Sequence, residues 1–288
     1  MWRVLFFMTT VLCIPLSVIA TGDGNIKDTT TATKDDGTWF AFSLEDLKDG
    51  MWHTKHTEIF GGHVDGFNFA VLKAIDIVQA QTNKGSGYFT GITAQPPESP
   101  IGYPLSLFGL HLLEPPRSTS YCSGATYAAF IETLNLLYPT GAQYLSLDRF
   151  ESLRMQEPDG GRRNDSVKFW GYWNADGFGN HFALVQYSGM GTVIKPSSAR
   201  PGDFMNISWT FGGGHSVIFL GWVRNKNDKL GVAYWSSQTE TNGCGDVVFK
   251  SVDLIKSVKI VRLTNPERIF NFNVEQTVTN SIVGDLIR

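Results

Sequence analysis

The sequence contains few cysteines. Only three of its 288 residues are cysteine, and Cys13 lies within an N-terminal apolar segment. The remaining pair, Cys122 and Cys244, is too few for the dense disulfide framework that holds small secreted domains together. The count is compatible with a single bridge between them and with two thiols, so the surroundings of each cysteine have to decide.

Long hydrophobic runs are also missing. The first twenty residues carry Arg3, two short apolar runs and a small-residue ending at Ala20. A membrane-spanning helix needs about 20 consecutive apolar residues, whereas a short basic and apolar segment of this kind is typical of a signal peptide. We predict cleavage after Ala20, no stable membrane anchor, and a secreted or periplasmic protein.

Several function classes leave no trace in the sequence. The net charge is −3 without a basic patch, which argues against nucleic-acid binding. His-Glu-x-x-His, Gly-x-Ser-x-Gly and Walker-type motifs do not occur. His53 and His56 are three positions apart but lack further ligands at zinc spacing, so we interpret them as solvated loop residues. The sequence therefore predicts neither a metal nor a cofactor.

The order of elements predicts one mixed α+β domain. Residues 21–36 are polar and predict a flexible leader, and residues 37–116 form an N-terminal extension with a helix from Val64 to about Thr82. Prolines make residues 94–116 unsuitable for a regular element. A catalytic domain follows over residues 117–264, with an insertion near 144–198, and residues 265–288 form a C-terminal tail.

Within the predicted catalytic domain a helix comes first and strands follow. Residues 118–138 repeat apolar side chains at helical spacing and stop at Pro139. Short β-branched and aromatic runs then predict strands. These runs are His181–Tyr187, Phe204–Trp209, Ser216–Val223, Val232–Trp235, Val247–Phe249 and Val258–Leu263.

Cys122 lies in the first turn of the predicted helix, where the helix dipole favours a thiolate. Its backbone N–H could serve as an oxyanion donor, and Ser123 with Gly124 keeps the turn small enough for a substrate to approach. A nucleophilic thiol also needs a base. Among the histidines, His63 is expected to cap or pack, and His111 to be a core residue. This leaves two candidates that each head a predicted strand, His181 and His215.

Three motifs in order favour His215. Tyr-Cys-Ser-Gly at 121–124 opens a helix, Pro-Gly-Asp-Phe lies at 201–204, and Gly214-His215 precedes an apolar strand ending in Gly221. Together they resemble the NlpC-type cell-wall cysteine peptidases, with the CHAP-type amidases as near relatives. The resemblance implies a papain-like fold, in which a helix bearing the cysteine packs on an antiparallel sheet bearing the histidine. It also implies that a polar residue on the next strand orients the imidazole.

The third residue is predicted as Gln238, with Ser236 and Asn242 as alternatives. Many family members have Asp where this chain has Tyr121, so recognition of a free amine is in doubt, and Tyr121 could instead donate to the oxyanion or pack. The interval from Cys122 to His215 is also longer than in a compact family core.

That longer interval holds the predicted insertion. Within it, Trp170 and Trp173 belong to an aromatic cluster that could form a substrate wall. Gly214, directly before His215, is a further residue predicted to contact the oxyanion or the substrate. The expected activity is amide cleavage in a peptide or peptidoglycan-type substrate. The alternatives are a secreted binding module on the same fold, either catalytically silent or closed by a disulfide, and a protein-directed cysteine protease effector. The oligomeric state stays open.

Overall fold

The computed structural model describes residues 33–35, 39–47, 52, 54–82, 87–95, 98–115, 117–154, 169–170, 179–278 and 282–287. The predicted signal peptide, His53 and Trp173 lie outside these residues. The described end of the predicted leader, Thr33–Asp35, forms a strand.

The chain is of the predicted mixed α+β class. Helices α1 to α5 are His56–Phe60, Asn68–Gln81, Cys122–Leu137, Leu147–Ser152 and Gly179–His181, the last continuing as a π-helix over Phe182–Tyr187. Strands β1 to β10 are Thr33–Asp35, Trp39–Ser43, Leu105–Leu107, Leu110–Leu113, Gly191–Ile194, Phe204–Trp209, Gly214–Arg224, Leu230–Gln238, Gly243–Ser251 and Ile255–Leu263. The predicted strand Phe204–Trp209 has the observed bounds, and the four that follow it are confirmed as longer elements.

Strand β7 is the centre of the main sheet. One of its edges pairs antiparallel with β8, which in turn pairs with β9. Along the other edge its first half pairs antiparallel with β6 and its end pairs parallel with β2. Strands β10 and β5 continue outward from β6. The start of β7 therefore lies between β6 and the end of β8.

The sheet separates two hydrophobic clusters. Alternate β7 side chains such as Ile218 and Leu220 join α2 and α3 in the larger cluster, whereas Val217 and Phe219 pack on the opposite face. This follows from the two-residue period of a strand, which sends neighbouring side chains to opposite faces. Small side chains on α3, including Ala125, let the helix lie close to the sheet.

Two element predictions were wrong. Residues 94–116 contain the hairpin β3–β4, because the Leu-rich stretch between the prolines has room for two short strands. The predicted strand His181–Tyr187 is helical instead. Its residues Phe182, Ala183 and Leu184 are all buried, and a continuous apolar run of this length fits a buried helix as well as a strand.

The chain segments on either side of the predicted catalytic domain share its core. Helix α2 packs against α3, and β2 extends the main sheet. Towards the C-terminus, Ile269 and Phe272 are buried in the larger cluster. Asp285 exchanges backbone hydrogen bonds with Val258 of β10.

Candidate functional site

Cys122 is the first residue of α3. Tyr121 precedes it in an extended conformation, and the Tyr121 carbonyl accepts the hydrogen bond from Ala125 N at 2.9 Å that opens the helix. A sulfur in this position lies beside the positive end of the helix dipole, which stabilises a thiolate. Cys122 is only 1% exposed. Neither it nor Cys244 takes part in a disulfide, so the bridge that the cysteine count allowed is not formed.

The small residues after Cys122 allow another segment of the same chain to pack closely against the start of α3. The Ser123 hydroxyl lies 2.8 Å from the Ser99 hydroxyl, and both residues are buried. A Cβ on Gly124 would lie 2.2 Å from Pro100 O and 2.4 Å from Ser99 O. The expectation that Ser123 and Gly124 leave room for a substrate was therefore wrong, since the segment at residues 99–100 fills that room.

Replacing Gly124 by alanine is expected to lower the free energy of unfolding by about 1–3 kcal/mol, because backbone atoms cannot retreat from an inserted methyl group as a side chain can. Gly62→Ala is the matched control, since a Cβ at Gly62 meets nothing within 4 Å. Urea denaturation measures both variants. Equal stability of the two would contradict the close approach at residues 99–100.

Three tyrosines lie near enough to Cys122 for its charge to raise their pKa values. Burial raises the pKa of Tyr121, and the charge and hydrogen bond of Cys122 raise it further. The pKa values of Tyr88 and Tyr234 are also raised, first by burial and additionally by the charge of Cys122. Tyr88 and Tyr121 have ring centroids 5.9 Å apart. Tyr121, predicted as an oxyanion donor, is thus in hydrogen-bonding contact with the sulfur.

His215 and Gln238 are brought together across neighbouring strands. His215 is the second residue of β7, and Gln238 is the last residue of β8. Their side chains meet with His215 Nε2 at 3.4 Å from Gln238 Oε1. The two alternatives for the third residue have other structural roles. Ser236 Oγ donates a hydrogen bond to Ser216 O at 2.6 Å, and Asn242, with φ 51°, forms the turn before β9.

The Gln238 amide is held in one orientation. Its Nε2 donates to Gly245 O at 3.0 Å and to Thr241 Oγ1 at 2.6 Å. Because a carbonyl can only accept, the amide oxygen must point to the imidazole, and His215 Nε2 then carries the proton. His215 Nδ1 is left with its lone pair. Burial lowers the pKa of His215 to about 4, so the ring is neutral at pH 7 and able to accept a proton.

The imidazole borders a cleft of about 180 Å³, whereas the Cys122 thiol is 1% exposed and is not among the residues that line this cleft. His215 faces away from α3, since its neighbour Ser216 makes the 2.8 Å contact with Thr126 one turn beyond Cys122. Tyr88 and Tyr234 line the cleft together with His215, and the charge of Cys122 contributes to the raised pKa of each. The cleft lining is Tyr88, Trp209, Phe211, Gly214, His215, Tyr234, Gln238, Thr239, Glu240 and Lys250.

Trp170 does not form a substrate wall. It is 1% exposed, stacks on Phe130 of α3 with ring centroids 5.3 Å apart, and donates from Nε1 to Thr126 Oγ1 at 3.3 Å. The prediction was wrong because aromatic clusters are apolar enough to form core. The predicted partner Trp173 lies outside the described residues. Four aromatic residues do line the cleft, and none of them was singled out as a site residue in the sequence: Tyr88, Trp209, Phe211 and Tyr234.

Other histidines also differ from expectation. His56 is fully buried rather than solvated, with Nδ1 2.7 Å from Asp76 Oδ1 and Nε2 2.6 Å from Asp246 Oδ1. His111 is exposed on β4 instead of lying in the core. His63 was expected either to cap a helix or to pack, and it packs against Phe40.

Comparisons of the chain with protein-family models, with curated proteins and with solved structures gave no match. In the part of the chain that the structure describes, no helix is long and apolar enough to cross a bilayer. The same residues contain no group of three or more His, Cys, Asp or Glu side chains placed to hold a metal ion.

Proposed function

We propose that this protein is a cysteine hydrolase with a papain-like arrangement of catalytic groups, similar to NlpC-type peptidases, and that it cleaves an amide bond in peptidoglycan-type peptides. The observation that carries the proposal is the His215–Gln238 pair. A neutral imidazole is oriented by a fixed amide at the edge of a cleft, and the charge of the helix-start thiol raises the pKa values of two tyrosines that line the same cleft. Orientation of a base by a third polar group is the common feature of nucleophile triads.

The mechanism follows from the protonation states. His215 Nδ1 takes the proton of the Cys122 thiol as the sulfur attacks the substrate carbonyl carbon. The C–N bond then breaks, and the imidazolium returns that proton to the leaving amine. Water, deprotonated by the same nitrogen, cleaves the resulting thioester and restores the thiol. The Gln238 oxygen keeps Nε2 protonated throughout and stabilises the imidazolium that forms.

Alkylation by iodoacetamide tests whether Cys122 is the activated thiol, and Cys244 supplies an internal control. Burial raises the pKa of Cys244 to about 11, so very little of it is thiolate at pH 7.5. We expect Cys122 to be labelled at least about tenfold faster than Cys244, because the rate follows the thiolate fraction and a general base assists only Cys122. Peptide mapping by mass spectrometry measures both sites.

Two variants sharpen this experiment. His215→Ala should slow labelling at Cys122 and leave Cys244 unchanged, whereas Cys244→Ala should leave Cys122 labelling as in the original protein. The nucleophile assignment fails if Cys122 in the native protein reacts no faster than Cys244.

Digestion of purified muropeptides, followed by mass spectrometry, tests the substrate and identifies the bond. Cys122→Ala is the control for contaminating activities. Release of a fragment by the original protein alone supports a peptidoglycan-type substrate. Cleavage of a denatured protein such as casein, with muropeptides left intact, would instead assign the protein to the protein-directed effector class.

One observation favours a second candidate, a secreted binding module. Cys122 is almost completely covered, while Phe211 of the cleft is 72% exposed. Binding of muropeptides with an equal affinity in Cys122→Ala, together with no turnover by the original protein, would select this function.

A further inference from the structure

A second cavity lies on the face of the main sheet that carries the smaller hydrophobic cluster. Its volume is about 490 Å³, within the roughly 300–1,000 Å³ of sites that hold small ligands. The walls come from the beginning of β8, the residues between β9 and β10, the beginning of β10 and the C-terminal segment. None of the lining residues belongs to the cleft beside His215. The cavity is therefore a separate site that the proposed hydrolysis does not use.

The apolar part of the lining belongs to that cluster. Ile255 and Ile287 are members of it, and Leu230 and Val252 pack against it. Leu286 adds an apolar side chain that is 68% exposed. Apolar side chains thus form most of the lining, as is usual for small-molecule sites. The cavity can remove an apolar chain from water.

The C-terminal wall of the cavity is fixed by hydrogen bonds. Asp285 N donates to Val258 O at 2.7 Å, and Val258 N donates to Asp285 O at 2.9 Å. The Asp285 carboxylate also contacts Lys259 Nζ at 3.2 Å. Because Leu286 and Ile287 directly follow this anchor, the cavity is formed before a ligand binds, and binding requires little further ordering of the chain.

The charged part of the lining has an excess of positive charge. Lys229 and Lys256 line the cavity, and neither forms an ion pair within the part of the chain that the structure describes. Asp253 is the third charged residue, and its carboxylate accepts a hydrogen bond from Ser251 Oγ at 3.2 Å. Two ammonium groups face one carboxylate, in a chain whose net charge is −3. The cavity therefore favours an anion although the whole chain does not.

We propose that this cavity binds a small amphipathic anion, a molecule with one anionic head group on an apolar chain. The exposed ammonium groups of Lys229 and Lys256 hold the head group at the rim, while the less exposed Ile255 and Ile287 receive the chain. The head group is a carboxylate or a phosphate, since an ammonium group attracts either as a point charge. This binding goes beyond the proposed hydrolysis and does not rest on it.

Titration of the full chain with octanoate and with octyl phosphate tests the site and distinguishes the two head groups. The readout is the NMR shift of the Ile287 methyl group, assigned with Ile287→Val. We expect at least one of the two anions to bind saturably, about tenfold or more tighter than octylammonium or acetate. Octylammonium has the same chain with a positive head group, and acetate has the head group without the chain.

Substitutions in the lining test each half of the ligand. Lys229→Met and Lys256→Met keep the length of the side chain and remove its charge, so each should weaken binding about three- to tenfold. Lys226→Met is the matched control, because Lys226 is exposed nearby in the chain and does not line the cavity. Leu286→Ser should weaken binding by a similar factor, with Val283→Ser, 82% exposed and outside the lining, as its control.

Three results would overturn the site. The first is no saturable shift with either anion up to about 20 mM, a concentration well above the dissociation constant expected for a ligand of this size. The second is octylammonium binding as tightly as the anions, and the third is an unchanged affinity in both lysine variants that line the cavity. Because the readout is binding, loss of the nucleophile assignment in the alkylation experiment would leave these results standing.

Discussion

Replacing His215 by alanine is expected to lower kcat/KM for amide hydrolysis by a factor on the order of 10³, because no other described group in the cleft is a neutral base held by a fixed acceptor. The thiol would then have to lose its proton to water, and the leaving amine would depart without a positioned acid. Muropeptide turnover followed by mass spectrometry measures the loss. His111→Ala is the matched control, since His111 is exposed on β4.

A companion variant separates orientation from proton transfer. Gln238→Ala removes the acceptor of His215 Nε2 but leaves the imidazole in place. The expected loss is smaller, about 10- to 100-fold in kcat with little change in KM, because the ring can still accept a proton but is no longer held in one tautomer. A Gln238→Ala protein with full activity, or a His215→Ala protein within a few fold of the original, would contradict the assigned roles.

The helix and most strands could be predicted because their signals are local. Apolar spacing and Pro139 define α3, and its start places Cys122 at the helix N-terminus without knowledge of tertiary structure. Strand β6 and the apolar run of β7 are predicted by β-branched and aromatic residues. The choice of Gln238 as third residue needed more than local information, because the resemblance implied a polar residue on the next strand and the sequence only showed where that strand ends.

The features that were missed depend on distant partners. His56 has polar sequence neighbours and resembles a solvated residue, yet its two carboxylates come from positions 76 and 246. In the sequence, Gly124 looks like a residue that leaves space for a substrate. In the structure, the segment at residues 99–100 occupies that space. The row of stacked rings in the cleft arises because the end of β6 and the turn after it place Trp209 on His215 and Phe211 on Trp209. No local pattern encodes these contacts.

His56, Asp76 and Asp246 form a buried cluster of charges, in which the side chains of His56 and Asp246 have no exposed surface. Burial alone would lower the pKa of His56, but the hydrogen bonds and charges of Asp246 and Asp76 outweigh it and raise the pKa to about 9. The ring is therefore an imidazolium that joins α1 to α2 and β9. Asp246 also accepts from Trp52 N at 2.8 Å, and it directly follows Gly245, whose carbonyl fixes the Gln238 amide.

Replacing His56 by leucine is expected to lower the free energy of unfolding by about 3–5 kcal/mol, because it leaves two carboxylates close together, one of them fully buried, without a cation. Urea denaturation at pH 7 measures the loss, with His111→Ala as an exposed histidine control. Adding Asp246→Asn to His56→Leu should restore part of the stability, since it removes one of the uncompensated charges. Equal stability of the single and double variants would contradict the charge argument.

The pH dependence of the unsubstituted protein's stability tests the charge of His56 without any variant. The pKa of His56 is about 9 in the folded protein against an ordinary value of 6.5, so its contribution to stability is complete below pH 6.5 and is lost as the pH rises through 9. The shift corresponds to on the order of 3 kcal/mol across that window. His215 and His181 act on the acidic side, where burial lowers their pKa values to about 4 and stability falls as the pH decreases from 6.5 towards 4. Urea denaturation from pH 4 to 9 should therefore show maximum stability near pH 6.5, and constant stability between pH 6.5 and 9 would mean that His56 is not held as an imidazolium.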